Sequence, residues 1–340
     1  MLHDSQKGFE GKSFCKRTVR CYVSNMFKPS ENGSARLRRR PVRVAAKARR
    51  KTLILGNGSG RRSLKHGGHA PAALFKLHDK QSERDHRELR INKVGVRALR
   101  FPIQVRDKAH AVQNTVATIG MFVDLPKEFK GTHMSRFVEV LNAHGNVIHV
   151  ENINTILHEL QKKLHSATSH LEIEFPYFMS KKSPVTKKES LMDYVARFDA
   201  AACGHETDFV LTVKVNVTTL CPCSKAIAKY GAHNQRGEVT VALRSKKIVW
   251  IEEVIEMIEA SASSELYALL KRQDEKAVTE RAYENPVFVE DLVRNVALRL
   301  NAHPQVTWYK AEAENFESIH NHNAYACIER YPEVRIQVKR

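Results

Sequence analysis

Apolar side chains fall on alternate positions between Asn114 and Leu125 (Ile119, Met121, Val123, Leu125), the period of a strand with one buried face. Lys130-Gly131-Thr132 then reads as a turn. Met134, Phe137, Val138 and Leu141 follow at helical spacing, and Ile153, Ile156, Leu157, Leu160 and Leu164 predict a second amphipathic helix. Period two returns at Leu171, Ile173 and Phe175 and again around Tyr194 to Phe198, with Ser180 to Lys188 between them reading as a charged loop or linker. The order then repeats. Leu211, Val213, Val215 and Val217 alternate as a strand that runs into Cys221, and Val239, Val241 and Leu243 make the next one. Ile251, Val254, Ile255 and Ile258 predict a helix, and Val289, Leu292, Val293 and Val296 another behind Pro286. Short strands around Val306 to Tyr309 and Ala324 to Ile328 close the chain. Two successive blocks of strand pair, helix pair and strand pair predict an α+β fold with antiparallel sheets, duplicated in structure without an obvious residue-level repeat.

The 340 residues, 42% hydrophobic, suffice for two modules with a substantial core. The formal charge of +19 is unevenly spread: residues 1–80 hold 20 Lys and Arg against four acids, leaving 36 basic and 33 acidic residues beyond. A nearly neutral body argues against nucleic-acid binding by that body. Residues 1 to about 84 show no sustained period and carry Arg38-Arg39-Arg40, Arg49-Arg50-Lys51 and Gly56-Asn57-Gly58-Ser59-Gly60, a composition that predicts a disordered extension. Three origins fit it: a start codon placed too far upstream, a basic arm for nucleic acid or an anionic surface, and an Arg-rich targeting peptide. No run approaches the ~18 apolar residues of a spanning helix, and the N-terminus lacks the apolar core of a secretory signal. The expectation is a soluble, cytoplasmic protein. Its six cysteines (15, 21, 203, 221, 223, 327) fit reduced thiols better than a disulfide framework.

The densest chemistry lies between Leu220 and Gly237, where Cys221 and Cys223 flank Pro222 and His233 follows in an irregular segment. A Cys, a His and one further ligand would leave a coordination position for water, the arrangement of a catalytic rather than a structural metal. Ordinary buried thiols and a satisfied histidine fit the same spacing. The third ligand should be a His, Cys, Asp or Glu, and the polar run Lys271 to Lys276, with Asp274 and Glu275, lies between the second block's helices. Glu290 stands in the first turn of a helix, where its carboxylate also complements the helix dipole. His320 and His322 flank Asn321 between the closing strands. In a strand they would share one side and suit proton transfer near neutral pH.

Leu-Cys-Pro-Cys-Ser-Lys at 220–225, Tyr-Gly-Ala-His-Asn-Gln-Arg at 230–236, Arg-Gln-Asp-Glu-Lys at 272–276, Tyr-Glu-Asn-Pro at 283–286, Phe-Val-Glu-Asp at 288–291 and His-Asn-His at 320–322 together resemble the type IB GTP cyclohydrolases. Lys-Gly-Thr-His-Met-Ser-Arg-Phe at 130–137 matches too, and the resemblance runs from about Arg87 to the C-terminus. It implies a tunnelling fold (T-fold) of two tandem ββααββ-like modules, 85–188 and 189–340, after the extension 1–84, assembled as a homotetramer. The implied reaction converts GTP to 7,8-dihydroneopterin triphosphate and formate, in folate or deazapurine biosynthesis. Carried onto this chain, the resemblance makes Cys221, His233 and Glu275 ligands of a divalent metal (zinc, manganese or iron(II)) and gives Cys221, His320 and His322 catalytic roles. Glu290 would anchor guanine, while His133 and Arg136 would contribute to substrate binding across a subunit interface. Cys223 is left without a role, and neither membrane nor nucleic acid is an expected partner of the body. Two other classes compete: a basic nucleic-acid-binding protein with a structural Cys/His metal knuckle, and a sister tunnelling-fold enzyme acting on a pterin or deazapurine.

Overall fold

Alternation of buried and exposed side chains builds one broad sheet. The computed structural model describes residues 78–108, 111–145 and 150–331. The basic extension up to residue 77, with the disorder expected of it, lies outside the described residues. The first repeat comprises β1 (Ile91–Asp107), β2 (Ala111–Leu125), α1 (Met134–Ala143), α2 (Val150–Leu164), β3 (Thr168–Lys182) and β4 (Glu189–Cys203). The second begins with β5 (Glu206–Leu220), α3 (Pro222–Ile227), β6 (Asn234–Ser245) and α4 (Ile251–Glu259). It continues through β7 (Ser264–Glu265), α5 (Arg272–Glu284), α6 (Val289–Ala302), β8 (Val306–Asn315) and β9 (Ala324–Arg330). The strands pair antiparallel in the order β1-β2-β3-β4-β5-β6-β8-β9, with the short β7 beside β5. The expected α+β class with antiparallel strands is thus what the chain adopts.

Every second residue of β2 to β6 and β8 turns onto the helices, and the two repeats share one continuous core. Ile153, Ile156, Leu157 and Leu160 of α2 lie at intervals of three and four and are at most 1% exposed. The β1 strand was not legible as a period. Register shifts at Ile91/Val94 and Val96/Leu99, with Ala98 at φ 59°, break its alternation.

Several segments differ from the sequence reading. Of the two readings of Ser180 to Lys188, loop or linker, the structure has a short loop: β3 and β4 pair in unbroken register from Thr168↔Cys203 to Lys182↔Glu189, so residues 183–188 form a hairpin tip and 180–182 belong to β3. The division drawn at 188/189 falls at that tip, whereas the topological repeat divides at the β4–β5 turn, where Gly204 supplies a φ of +59°. Residues 81–83 join the body, because Lys130 N donates to Glu83 O and Gly131 N to Gln81 O, both at 3.1 Å. Lys271 to Lys276 opens α5 instead of forming a loop. Asp274, fully buried, organises that start by accepting from Val185 N (2.9 Å), Thr186 N (2.8 Å), Thr186 Oγ1 (2.6 Å) and Lys271 N (2.9 Å). Burial alone would raise its carboxyl pKa, but these donors hold it well below the usual carboxylate range. One aspartate therefore ties the β3–β4 tip to the helix that carries Glu275. Among the described residues no helix is long and apolar enough to cross a membrane.

A buried ion pair also joins the repeats. Lys181 Nζ of β3 lies 2.7 Å from Glu259 Oε1 at the end of α4 and 2.9 Å from Glu265 Oε2, and Tyr194 Oη donates to Glu259 at 2.9 Å. Burial pushes the Glu259 carboxyl up against the opposing pull of Lys181 and Tyr194. Lys181→Ala would strand that carboxylate and should cost about 3–5 kcal/mol, lowering the melting temperature by roughly 10 °C. The apolar pair Lys181→Met/Glu259→Leu should recover most of the loss. Equal melting temperatures for Lys181→Ala and wild type in a thermal scan would show that the pair does not hold the repeats.

Candidate functional site

Three hydrogen bonds set where β5 ends. Leu220 N donates to Ser263 Oγ (3.0 Å), Leu220 O accepts from Val287 N (3.0 Å), and Cys221 N donates to His233 O (3.1 Å). Cys221 then caps α3, its Sγ accepting from Ser224 N at 3.4 Å, and Pro222 fills the first helical position, where a missing N–H costs nothing. The segment expected to be irregular thus contains a short helix. Ser224 Oγ donates to Cys221 O (3.3 Å) and accepts from His233 N (3.1 Å), so one serine sets the spacing of both residues.

A cleft of about 270 Å³ opens beside them. Cys221 and His233 line it with Phe288 and Glu290 from the start of α6 and with His320 and His322 from the β8–β9 connection. Those two histidines lie between the closing strands as expected, in a bend and without strand geometry. They still share one side, with stacked rings whose centroids are 5.1 Å apart. Five predicted site residues are therefore brought together: Cys221, His233, Glu290, His320 and His322. Three are not. Glu275 is exposed in the first turn of α5 and does not line this cleft. His133 precedes α1, and Arg136 within it donates from Nη1 to Lys163 O at 3.3 Å, so both belong to the first repeat, away from the cleft lining. Among the described residues of a single chain, no three His, Cys, Asp or Glu side chains converge as a metal-binding group. Cys223 is exposed on α3.

Sequence reasoning missed three polar residues of the lining, Gln235, Asn315 and Glu317. On β5, β6 and β8 the inward positions are aliphatic through Val215, Val217, Val239, Val241, Ala311 and Ala313, and they turn polar at Thr219, Gln235 and Asn315. Thr219 and Gln235 are register partners, as are Gly237 and Asn315. A polar residue on the buried phase of a strand was the available signal. Asn315, 2% exposed, has no partner for its Oδ1 among the described residues, and a Cβ at position 237 would sit 2.7 Å from that oxygen. Glycine at 237 leaves room for the amide. Glu317 places Oε2 3.9 Å from His233 Nδ1.

A family model described as type I GTP cyclohydrolase folE2 matches residues 77–326. The chain belongs to that family. A GTP cyclohydrolase FolE2 from Akkermansia muciniphila is 59% identical over 260 residues, covering 76% of this chain and 98% of the relative. One from Geobacter sulfurreducens is 55% identical over 251 residues (74% and 97%), and one from Fervidobacterium nodosum 54% over 252 residues (74% and 97%). The family match takes in the cleft and every residue assigned to it. Among solved structures, a urate oxidase mutant from Bacillus sp. TB-90 aligns with a TM-score of 0.45 and 9% identity over 71% of this chain and all of that one. The uricase of Arthrobacter globiformis gives 0.42 and 11% over 70% and 93%.

Proposed function

We propose that this member of the GTP cyclohydrolase family converts GTP to 7,8-dihydroneopterin triphosphate and formate in the cleft at the end of β5. The observation that carries the reading is the convergence there of a thiol, an imidazole, a helix-terminal carboxylate and a stacked histidine pair. The reaction adds water at C8 of the purine, opens the imidazole ring, releases that carbon as formate, and recloses the ring after rearrangement of the ribose. Glu290 can accept two parallel hydrogen bonds from guanine N1–H and the 2-amino group, which adenine cannot supply because its N1 is an acceptor. Phe288 and the adjoining valines offer the base an apolar wall. His320 and His322 hold and return protons during ring opening and reclosure. The product would feed folate or deazapurine synthesis.

The donor set suits a divalent ion. Cys221 and His233 are the thiolate and imidazole ligands that zinc and iron(II) accept, and manganese is a third candidate. When bound, such an ion acidifies water so that hydroxide is available near neutral pH. The third ligand is Glu275, which is exposed and outside its own chain's cleft, so it enters from a second subunit of a homotetramer. His133 and Arg136 reach the triphosphate in the same way. An in-chain reading is favoured by Glu317, whose carboxylate lies beside His233.

Mixing two inactive variants separates these readings. Cys221→Ala and Glu275→Ala subunits, dissociated and reassembled together, should regain up to about a quarter of wild-type turnover, because some interfaces then carry both native residues. No recovery, together with metal loss in Glu317→Ala but not in Glu275→Ala, would place the third ligand within one chain.

A further inference from the structure

We propose that Gln235, backed by Thr219, is a positioning residue that keeps the proton of His233 on Nδ1 and presents Nε2 to the cleft as a lone-pair donor. Gln235 Oε1 lies 3.0 Å from His233 Nδ1, and Gln235 Nε2 donates to Thr219 Oγ1 at 2.9 Å. Gln235 is 8% exposed and Thr219 fully buried, so neither amide orientation nor hydroxyl direction is averaged by water. A neutral imidazole has one N–H and one lone pair, and the partner of one nitrogen decides the role of the other.

A second, longer contact acts in the same sense. The Glu317 carboxylate, 3.9 Å away, faces the same Nδ1, and a negative oxygen on that side favours the proton there. With Nδ1–H donating to Oε1, the amide nitrogen must point at Thr219, which is the arrangement observed. Nε2 takes no hydrogen bond among the described residues, and His233 lines the cleft. The β-sheet supplies the rigidity: Thr219 and Gln235 are directly paired in the β5–β6 register, so the amide that faces the imidazole is fixed by two strands.

The consequence for metal binding rests on the cyclohydrolase reading above; the tautomer itself does not. In long-range ¹H–¹⁵N spectra of the full chain, metal-free and at a pH where His233 is neutral, wild type should show the Nδ1–H form. Gln235→Glu, which keeps an acceptor at that place, should preserve it. Gln235→Leu should shift His233 toward Nε2–H and weaken Mn²⁺ or Zn²⁺ binding, measured against a competing chelator, by about 10–100-fold. Should Gln235→Leu fail to fold, Thr219→Val removes the other end of the relay and should move both readouts in the same direction. An Nε2–H signal in wild type, or unchanged tautomer and affinity in Gln235→Leu and Thr219→Val, overturns the proposal. The expected tautomer in a protein that binds neither ion would support the positioning role and refute the metal reading of the cleft.

Discussion

Cys221→Ala should abolish formation of 7,8-dihydroneopterin triphosphate, with a loss on the order of 10³-fold or more. If Cys221 is a ligand of a water-acidifying metal, as proposed, its removal forfeits several kcal/mol of barrier lowering, and each 1.36 kcal/mol is tenfold in rate. The structural cost is small by comparison. Cys221 is half-buried, and its Sγ makes one capping contact at 3.4 Å on a six-residue helix, worth about 1 kcal/mol. Circular dichroism and the melting temperature should therefore stay close to wild type while bound metal, measured by elemental analysis, falls to background. Retained turnover would remove Cys221 from the chemistry. A collapsed melting temperature would instead show the thiol to be structural.

Glu290→Gln should lower kcat/KM for GTP by about 10²–10⁴-fold, because one acceptor of a charged bidentate pair becomes a donor facing a donor. Glu290 is exposed in the first turn of α6, so the fold loses only its favourable interaction with the helix dipole, about 0.3–1 kcal/mol. Specificity gives the sharper readout. Wild type should prefer GTP strongly over inosine triphosphate, which lacks the 2-amino group, and Glu290→Gln should narrow that preference. Unchanged discrimination between the two nucleotides would show that the base is recognised elsewhere.

Much of the fold was legible because the inward faces of β2, β3, β5 and β6 alternate cleanly, and α2 and α6 carry apolar residues at intervals of three and four. β1 was hidden by its two register shifts, and the Ser180–Lys188 tip by a composition that suits linkers and hairpins alike. α5 was hidden because it is polar almost all round, with Asp274 and Ala282 its buried residues. Its helical start depends on a tertiary contact, the grip of Asp274 on residues 185 and 186, that no local pattern encodes.

The cleft was legible in part for a similar reason. Cys221, His233, Glu290, His320 and His322 stand out as reactive types in matched motifs. Gln235 and Asn315 carry neutral amides, and what distinguishes them is their place on the buried phase of the neighbouring strands β6 and β8. Glu275 shows the converse: its motif singles it out, yet it lies outside its own chain's cleft, which is where the proposed second subunit enters the account.

The most direct test is to incubate the purified full chain with GTP and Mn²⁺ or Zn²⁺, oxidise the product, and follow both pterin fluorescence and formate. A metal-dependent cyclohydrolase cleft requires that the two appear in equal amounts, that chelation stops both, and that Cys221→Ala produces neither. Consumption of GTP without formate, or no turnover with any divalent ion in a correctly assembled protein, would contradict it.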